Sequence, residues 1–208
     1  MDTKQYETRL SVEEPIIEAY AYGSTVYGCN TEKSDTDYIV VVESDKDLYY
    51  SVNLERMNTN ITVYSEPLFI KKIKEHHISI MECIFQREDD PYRKYFELDL
   101  AKLRRAISSV SSNSFVKCKK KLAEGEVYIG KKSLFHSLRI LLKGIDIAEN
   151  GRITNYGVAN HFLSEIMDEM PDDWNILKTT YQPVFNRLKS EFRELAPLEG
   201  ELNVSSFN

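Results

Sequence analysis

Tyr22-Gly23-Ser24-Thr25-Val26-Tyr27-Gly28, followed by Ser34-Asp35-Thr36-Asp37 and the apolar run Tyr38-Ile39-Val40-Val41-Val42, is the stretch that decides how this chain is read. The segment before it, Pro15 to Tyr22, alternates loosely between apolar and polar residues and halts at Gly23-Ser24, as a strand does at a turn. A turn or helix start there presents free backbone N–H groups and the Ser24 hydroxyl, both suited to phosphate oxygens. Gly23 lets the backbone come close to a ligand. Asp35 and Asp37 stand two apart at the head of a strand, so their side chains share one face. Two such carboxylates repel one another unless a cation lies between them. Oxygen-only ligands favour Mg²⁺ or Mn²⁺, ions that usually bridge to substrate phosphates.

Working outward, Asp37 to Val42 is a short β-branched run of the kind buried on both faces, and Asn60 to Tyr64 alternates and is rich in strand formers. The polar and aromatic stretch from Glu43 to Asn53 reads as a loop with some helix. After it the period changes. Ser65-Glu66-Pro67 reads as a helix start, with serine as the cap and proline in the first turn. Leu68, Phe69, Ile73, Ile80 and Ile84 continue at helical spacing. From Tyr95 onward the pattern is helical almost throughout. Phe135, Leu138, Leu141, Leu142 and Ile145 form one apolar stripe, stopped by Gly151 after Asn150. Trp174, Leu177, Tyr181, Phe185, Leu188, Phe192 and Leu195 form another, which Pro183 is expected to kink or divide. The last residues, Asn203 to Asn208, are expected to fray. The order predicts an α+β chain, a small mixed β-sheet core over residues 1–98 followed by a helical C-terminal half over residues 99–208.

Composition narrows the class further. With 42% hydrophobic residues and only 8 Gly and 6 Pro in 208, the chain is neither disordered nor fibrous. No run approaches the ~20 apolar residues that span a bilayer, and Met1-Asp2-Thr3-Lys4-Gln5 lacks the apolar run of a signal peptide. Three widely spaced cysteines (Cys29, Cys83, Cys118) make neither a disulfide framework nor a zinc pattern, so a reduced, cytoplasmic setting is expected. A net charge of −6 argues against a surface coated uniformly for nucleic acid. From Lys117 to Lys143, however, eight basic residues face two acidic ones, a local excess that is either an anion site or a solvated helix face.

Taken jointly, a strand, Gly-Ser, about ten residues, Asp-x-Asp and a buried strand resemble the DNA polymerase β-type nucleotidyltransferase superfamily. Asn60 to Ile73 looks like the third core strand and following helix of that superfamily. Ile78 to Phe85 looks like the short helix that comes next in bacterial and phage members. Lys131-Lys132-Ser133-Leu134-Phe135-His136-Ser137-Leu138-Arg139 is similar to the Lys-Lys-to-Arg helix of the branch associated with RNA-repair ligases. The resemblance spans Ile16 to Gly151. It implies a nucleoside triphosphate, ATP by preference, with its phosphates on Gly23 and Ser24 and two Mg²⁺ (or Mn²⁺) ions on Asp35 and Asp37. An acceptor hydroxyl then attacks the α-phosphorus in line and pyrophosphate leaves, by two-metal logic.

One position departs from the family pattern. Where the superfamily carries a third carboxylate, four residues ahead of Tyr64, this chain has Asn60. An amide accepts no proton at pH 7 and is a poorer cation ligand. Three readings compete: the strand register differs, the natural activity has been lost, or an aspartate has been exchanged for asparagine to trap substrate. An enzyme and a nucleotide- or RNA-binding sensor that kept the cradle and lost the chemistry are therefore both expected outcomes.

The remaining candidates follow from spacing. Lys132, His136 and Arg139 share a helix face and suit the phosphates of a triphosphate or an acceptor, Arg139 best because its fork matches phosphate oxygens. The basic region and the branch resemblance favour an RNA end as acceptor. Glu82, on an apolar helix, reads as a core-edge partner for a basic residue. His76-His77 reads as a helix C-terminal pair and Cys29 as structural. Tyr49-Tyr50 and Tyr92/Tyr95 suit packing better than base stacking.

Overall fold

The structure is a computed structural model that describes residues 12–32 and 34–199; the expected fraying of 203–208 lies outside them. The chain divides at Glu97–Leu98 into two compact units.

The first unit is built on four strands, β1 (Ile16–Tyr22), β2 (Thr36–Val42), β3 (Tyr49–Leu54) and β4 (Thr59–Ser65), in the order β1-β2-β4-β3. β1 runs antiparallel to β2, β2 parallel to β4, and β3 antiparallel to β4, so the sheet is mixed. β2 is buried on both faces from Ile39 to Val42, as a β-branched central strand should be. One face carries Val40, Val42, Ile61 and Val63, with Val12 packed on them and Tyr50, Val52 and Leu54 extending the patch. The other face is covered by helices. Tyr20 of β1 stacks on Phe69 at 5.8 Å, and Tyr64 of β4 meets the same ring edge-on at 6.3 Å.

The helical elements of the unit are the single turn α1 (Ser24–Tyr27) between β1 and β2, a 3₁₀ turn at Glu55–Met57 between β3 and β4, and, after the strands, α2 (Glu66–Lys74), α3 (Ile78–Ile84) and a short 3₁₀ turn at Arg93–Tyr95. Two expectations are corrected here. The stretch read as a loop holds β3, whose alternation of exposed Tyr49, Ser51 and Asn53 with half-buried Tyr50, Val52 and Leu54 marks an edge strand. Ser65 does start α2, but its side chain makes no cap; its Oγ accepts the Leu48 N–H at 3.0 Å and ties β4 to the residue before β3.

The second unit is helical. It comprises α4 (Leu100–Ala123), α5 (Val127–Asn150) and α6 (Trp174–Leu195), with 3₁₀ and π turns at Asn160–Phe162 and Glu165–Glu169. Together the two units make an α+β chain. Asp99 caps α4 by accepting the Lys102 N–H at 2.9 Å, and Gly151 ends α5 in the left-handed region at φ 68°. The apolar stripe of α5 is buried apart from the half-buried Leu142. Pro183 neither divides nor ends α6. It lies on the solvent face, and so does Thr179, whose carbonyl loses its helical donor; water can satisfy it there. No helix among the described residues is long and apolar enough to cross a membrane.

Candidate active site

At one end of the sheet, β1 finishes and β2 and β4 begin. The register pairs Tyr22 with Asp37 across the antiparallel ladder and Asp37 with Asn60 across the parallel one. Paired residues project to the same face, so Asp37 and Asn60 stand side by side, and Asp35 joins them two residues earlier. The Asn60 amide lies between the carboxylates. Its Nδ2 donates to Asp35 Oδ2 at 2.7 Å and to Asp37 Oδ1 at 3.2 Å. The amide is oriented by its surroundings, since the opposite flip would aim a carbonyl oxygen at carboxylate oxygens.

The Gly23-Ser24 turn closes on this cluster. Gly23 adopts φ 74° and ψ −151°, a conformation that in practice only glycine holds. A Cβ added there would lie 2.3 Å from Asp37 Oδ2, so the turn rests directly on the Asp37 carboxylate. Gly23 O accepts from Val26 N at 3.1 Å and Tyr27 N at 3.3 Å, winding α1, and Ser24 O accepts from Cys29 N at 3.0 Å. Gly28 closes the turn in the left-handed region. The structure thus brings Gly23, Asp35, Asp37 and Asn60 together in the first unit, with Ser24 at the head of α1.

Among the described residues no three His, Cys, Asp or Glu side chains form a metal cluster. The donor set here is two carboxylates and an amide. That set suits a hard cation such as Mg²⁺, which is commonly held by one or two carboxylates together with substrate phosphates. Two carboxylates drawn onto one amide N–H₂ group mark the point where a positive charge is most favoured.

Lys132, His136 and Arg139 lie in the second unit on α5. Arg139 is 3% exposed, and its Nε and an Nη donor lie 3.3 and 3.1 Å from His136 Nδ1. Burial first, then the nearby charges of Arg139, Lys132 and Lys117, push the His136 pKa down to about 3. His136 is therefore neutral at physiological pH and accepts from Arg139. Lys132 Nζ stands 5.7 Å from the Tyr128 ring centre. The wider basic run is not one surface. Lys120 and Lys121 pair with Glu124, and Lys121 also with Glu126. Lys131 is buried against Asp172 at 2.6 Å, and the fully buried Lys143 lies 4.0 Å from the Tyr156 ring centre.

Glu82 lies within the core rather than at its edge: it is fully buried and accepts from the Tyr27 hydroxyl at 2.7 Å. His76 follows α2 in the left-handed region at φ 58°, its Nδ1 3.3 Å from Lys74 O. Tyr92 donates to Glu66 at 2.9 Å, and the exposed Tyr49 ring leans on Tyr64 at 5.0 Å.

A mixed four-stranded sheet followed by helices, with a glycine turn closing on paired aspartates at the head of its second strand, makes this an α+β chain. Residues 4–104 match the family model described as the nucleotidyltransferase domain, which supports nucleotidyl transfer as the general chemistry of this part of the chain. A comparison with curated proteins gave no match. Among solved structures the chain is similar to a nucleotidyltransferase-like protein from Exiguobacterium sibiricum 255-15, at 12% identity and a TM-score of 0.32, covering 93% of this chain and 73% of that one.

Proposed function

We propose that the chain transfers a nucleoside monophosphate from a nucleoside triphosphate, ATP by preference, to an acceptor hydroxyl, with residues 1–98 as the catalytic core. The observation that carries this reading is the convergence of Asp35, Asp37 and Asn60 under a turn that only glycine can make. In it, Gly23 and the Ser24 hydroxyl hold phosphate oxygens, and Asp35 and Asp37 hold Mg²⁺ or Mn²⁺. When bound, the divalent ions neutralise the triphosphate and stabilise the attacking and leaving oxygens. Asn60 orients the two carboxylates by donating to both and takes no proton from the acceptor, so the attacking hydroxyl must lose its proton to another group or to water. Lys132, His136 and Arg139 are the proposed phosphate-holding groups of the second unit, with His136 serving as a neutral acceptor that aims the Arg139 guanidinium. An RNA end is the proposed acceptor, on the resemblance of Lys131 to Arg139 to the Lys-Lys-to-Arg helix of the branch associated with RNA-repair ligases.

A second reading has its own observation. The amide that bridges both aspartates does for the carboxylates what a cation would do, and it supplies no base; this favours a sensor that binds nucleotide without transferring it. Incorporation of label from [α-³²P]ATP into RNA in the presence of Mg²⁺, measured beside equilibrium ATP binding, separates the two. Transfer supports the enzyme. Binding with no transfer to any acceptor leaves the sensor. Absence of Mg²⁺-dependent binding refutes both.

A further inference from the structure

We infer that Glu82 is a positioning residue: through the Tyr27 hydroxyl it fixes the Gly23-Ser24 turn against the Asp37 carboxylate. The inference rests on the proposed nucleotide site and adds to it a residue that touches neither substrate nor metal. A four-residue helix such as α1 has no stability of its own, because nucleation costs more than so few hydrogen bonds return. Its position must come from tertiary anchors. Helix α3 and the bend that follows it supply them from one side. Ser79 and Glu82 of the helix and Gln86 just beyond it contact Tyr22 Oη at 2.8 Å, Tyr27 Oη at 2.7 Å and Ala21 O at 2.9 Å. These three points bracket Gly23-Ser24 on both sides. The Tyr22 and Tyr27 rings also meet edge-on at 6.1 Å, closing the bracket across the turn.

Glu82 stands out within this set. Ile78, Ile80, Met81, Cys83 and Ile84 of the same helix are buried and apolar, and Glu82 is buried as completely as they are. A carboxylate in such a place costs more than an aliphatic side chain of similar size, so its use there is explained by direction rather than by stability. The direction is towards Tyr27. A displacement of α1 is passed straight to the metal-binding aspartate, because Gly23 already lies in contact with Asp37.

The test compares Glu82→Leu, Tyr27→Phe, Glu82→Gln and the Glu82→Leu/Tyr27→Phe double variant of the full chain. Val42→Ala, in the apolar layer on the opposite face of the sheet, serves as a control that loses stability without touching the turn. Each is melted, and each is titrated with Mn²⁺ and ATP well below its melting temperature, with free Mn²⁺ followed by electron paramagnetic resonance. Glu82→Leu and Tyr27→Phe should each weaken Mn²⁺–ATP uptake by about tenfold, the worth of one charge-assisted hydrogen bond. Glu82→Gln, which keeps an acceptor oxygen, should stay within about threefold of the parent. The double variant should be no weaker than either single one, because both remove the same contact. Parent-like uptake by Glu82→Leu and Tyr27→Phe, or an equal loss in Val42→Ala, overturns the positioning role and leaves the site reading intact. A parent chain that takes up no Mn²⁺ with ATP overturns the site and the inference together.

Discussion

Asn60→Asp replaces the amide between two carboxylates with a third carboxylate. In the parent, Asn60 Nδ2 donates to Asp35 at 2.7 Å and to Asp37 at 3.2 Å. Hydrogen bonds to charged groups contribute about 1.5–3 kcal/mol each when buried; this cluster is half-exposed, so the two together are worth about 2–3 kcal/mol. The variant loses them and gains like-charge repulsion, part of which it relieves by taking up a proton. Without metal near pH 8 it should be less stable than the parent by about 2–4 kcal/mol, a fall in Tm of roughly 4–16 °C for a chain of this size. The pH dependence has a definite sign. Crowding raises the folded-state pKa of the variant's cluster above its unfolded value. The variant's deficit is therefore smallest below the ordinary carboxylate range and grows as the pH rises through the raised value. Mg²⁺ should remove most of the deficit and stabilise the variant more than the parent. A base within reach of the attacking hydroxyl is typically worth ~10²–10⁴-fold, so Mg²⁺-dependent transfer should rise at least ~10²-fold. The assay pairs melts at pH 5 and pH 8, with and without Mg²⁺, with label transfer from [α-³²P]ATP. An unchanged metal-free Tm at pH 8 would show that the amide does not bridge the aspartates in solution. A variant that binds Mg²⁺ and ATP yet transfers nothing would sink the enzyme reading.

The remaining predictions concern the same cluster and the α5 stripe. Asp35→Ala and Asp37→Ala each lose the hydrogen bond from Asn60 and relieve the repulsion between the pair, so the fold should survive while Mg²⁺-dependent ATP binding is abolished; unfolding of either variant, or undiminished binding, counts against the assignment. Gly23→Ala forces a Cβ to within 2.3 Å of Asp37 Oδ2 at a backbone conformation that costs a non-glycine residue about 1–3 kcal/mol; a melt should show the loss, and Mn²⁺ uptake should fall with it. His136, held down to about pKa 3 by burial and its cationic neighbours, contributes stability that is present above its unfolded value near 6.5 and drains away as the pH falls towards 3. Melting curves from pH 7 to pH 4 should therefore be flatter for His136→Asn than for the parent, and an equal slope in both refutes a neutral His136.

The geometry of the candidate site was legible in the sequence to the extent that its parts are local. Asp35 and Asp37 share a face because they are two residues apart in an extended chain, and Gly23-Ser24 marks a turn wherever it follows a strand. Asn60 needed only the register of two parallel strands, which the apolar alternation of Ile61 and Val63 sets. The contact of Glu82 with Tyr27 was not legible because the two residues stand 55 apart in the chain, and nothing on an apolar helix points to a phenol. β3 was missed because an edge strand exposes half its residues: Tyr49, Ser51 and Asn53 masked the alternation of Tyr50, Val52 and Leu54. Pro183 does not divide α6, because its cost depends on the surroundings of the orphaned Thr179 carbonyl, and both residues lie on the exposed face.

The choice of asparagine at position 60 follows from the electrostatics of this sheet. Parallel pairing of β2 with β4 sets residues 37 and 60 side by side, and the Gly23 turn prevents Asp37 from swinging away. Three carboxylates in that space would need a cation or a proton to coexist, so the metal-free fold would be coupled to Mg²⁺ supply. The amide removes the coupling. It donates to both aspartates and keeps them converged on one point. The same exchange removes the group best placed to accept the acceptor's proton. On the proposed reaction, metal-free stability and general-base chemistry compete for one side chain, and Asn60, by donating to both aspartates, favours the metal-free fold.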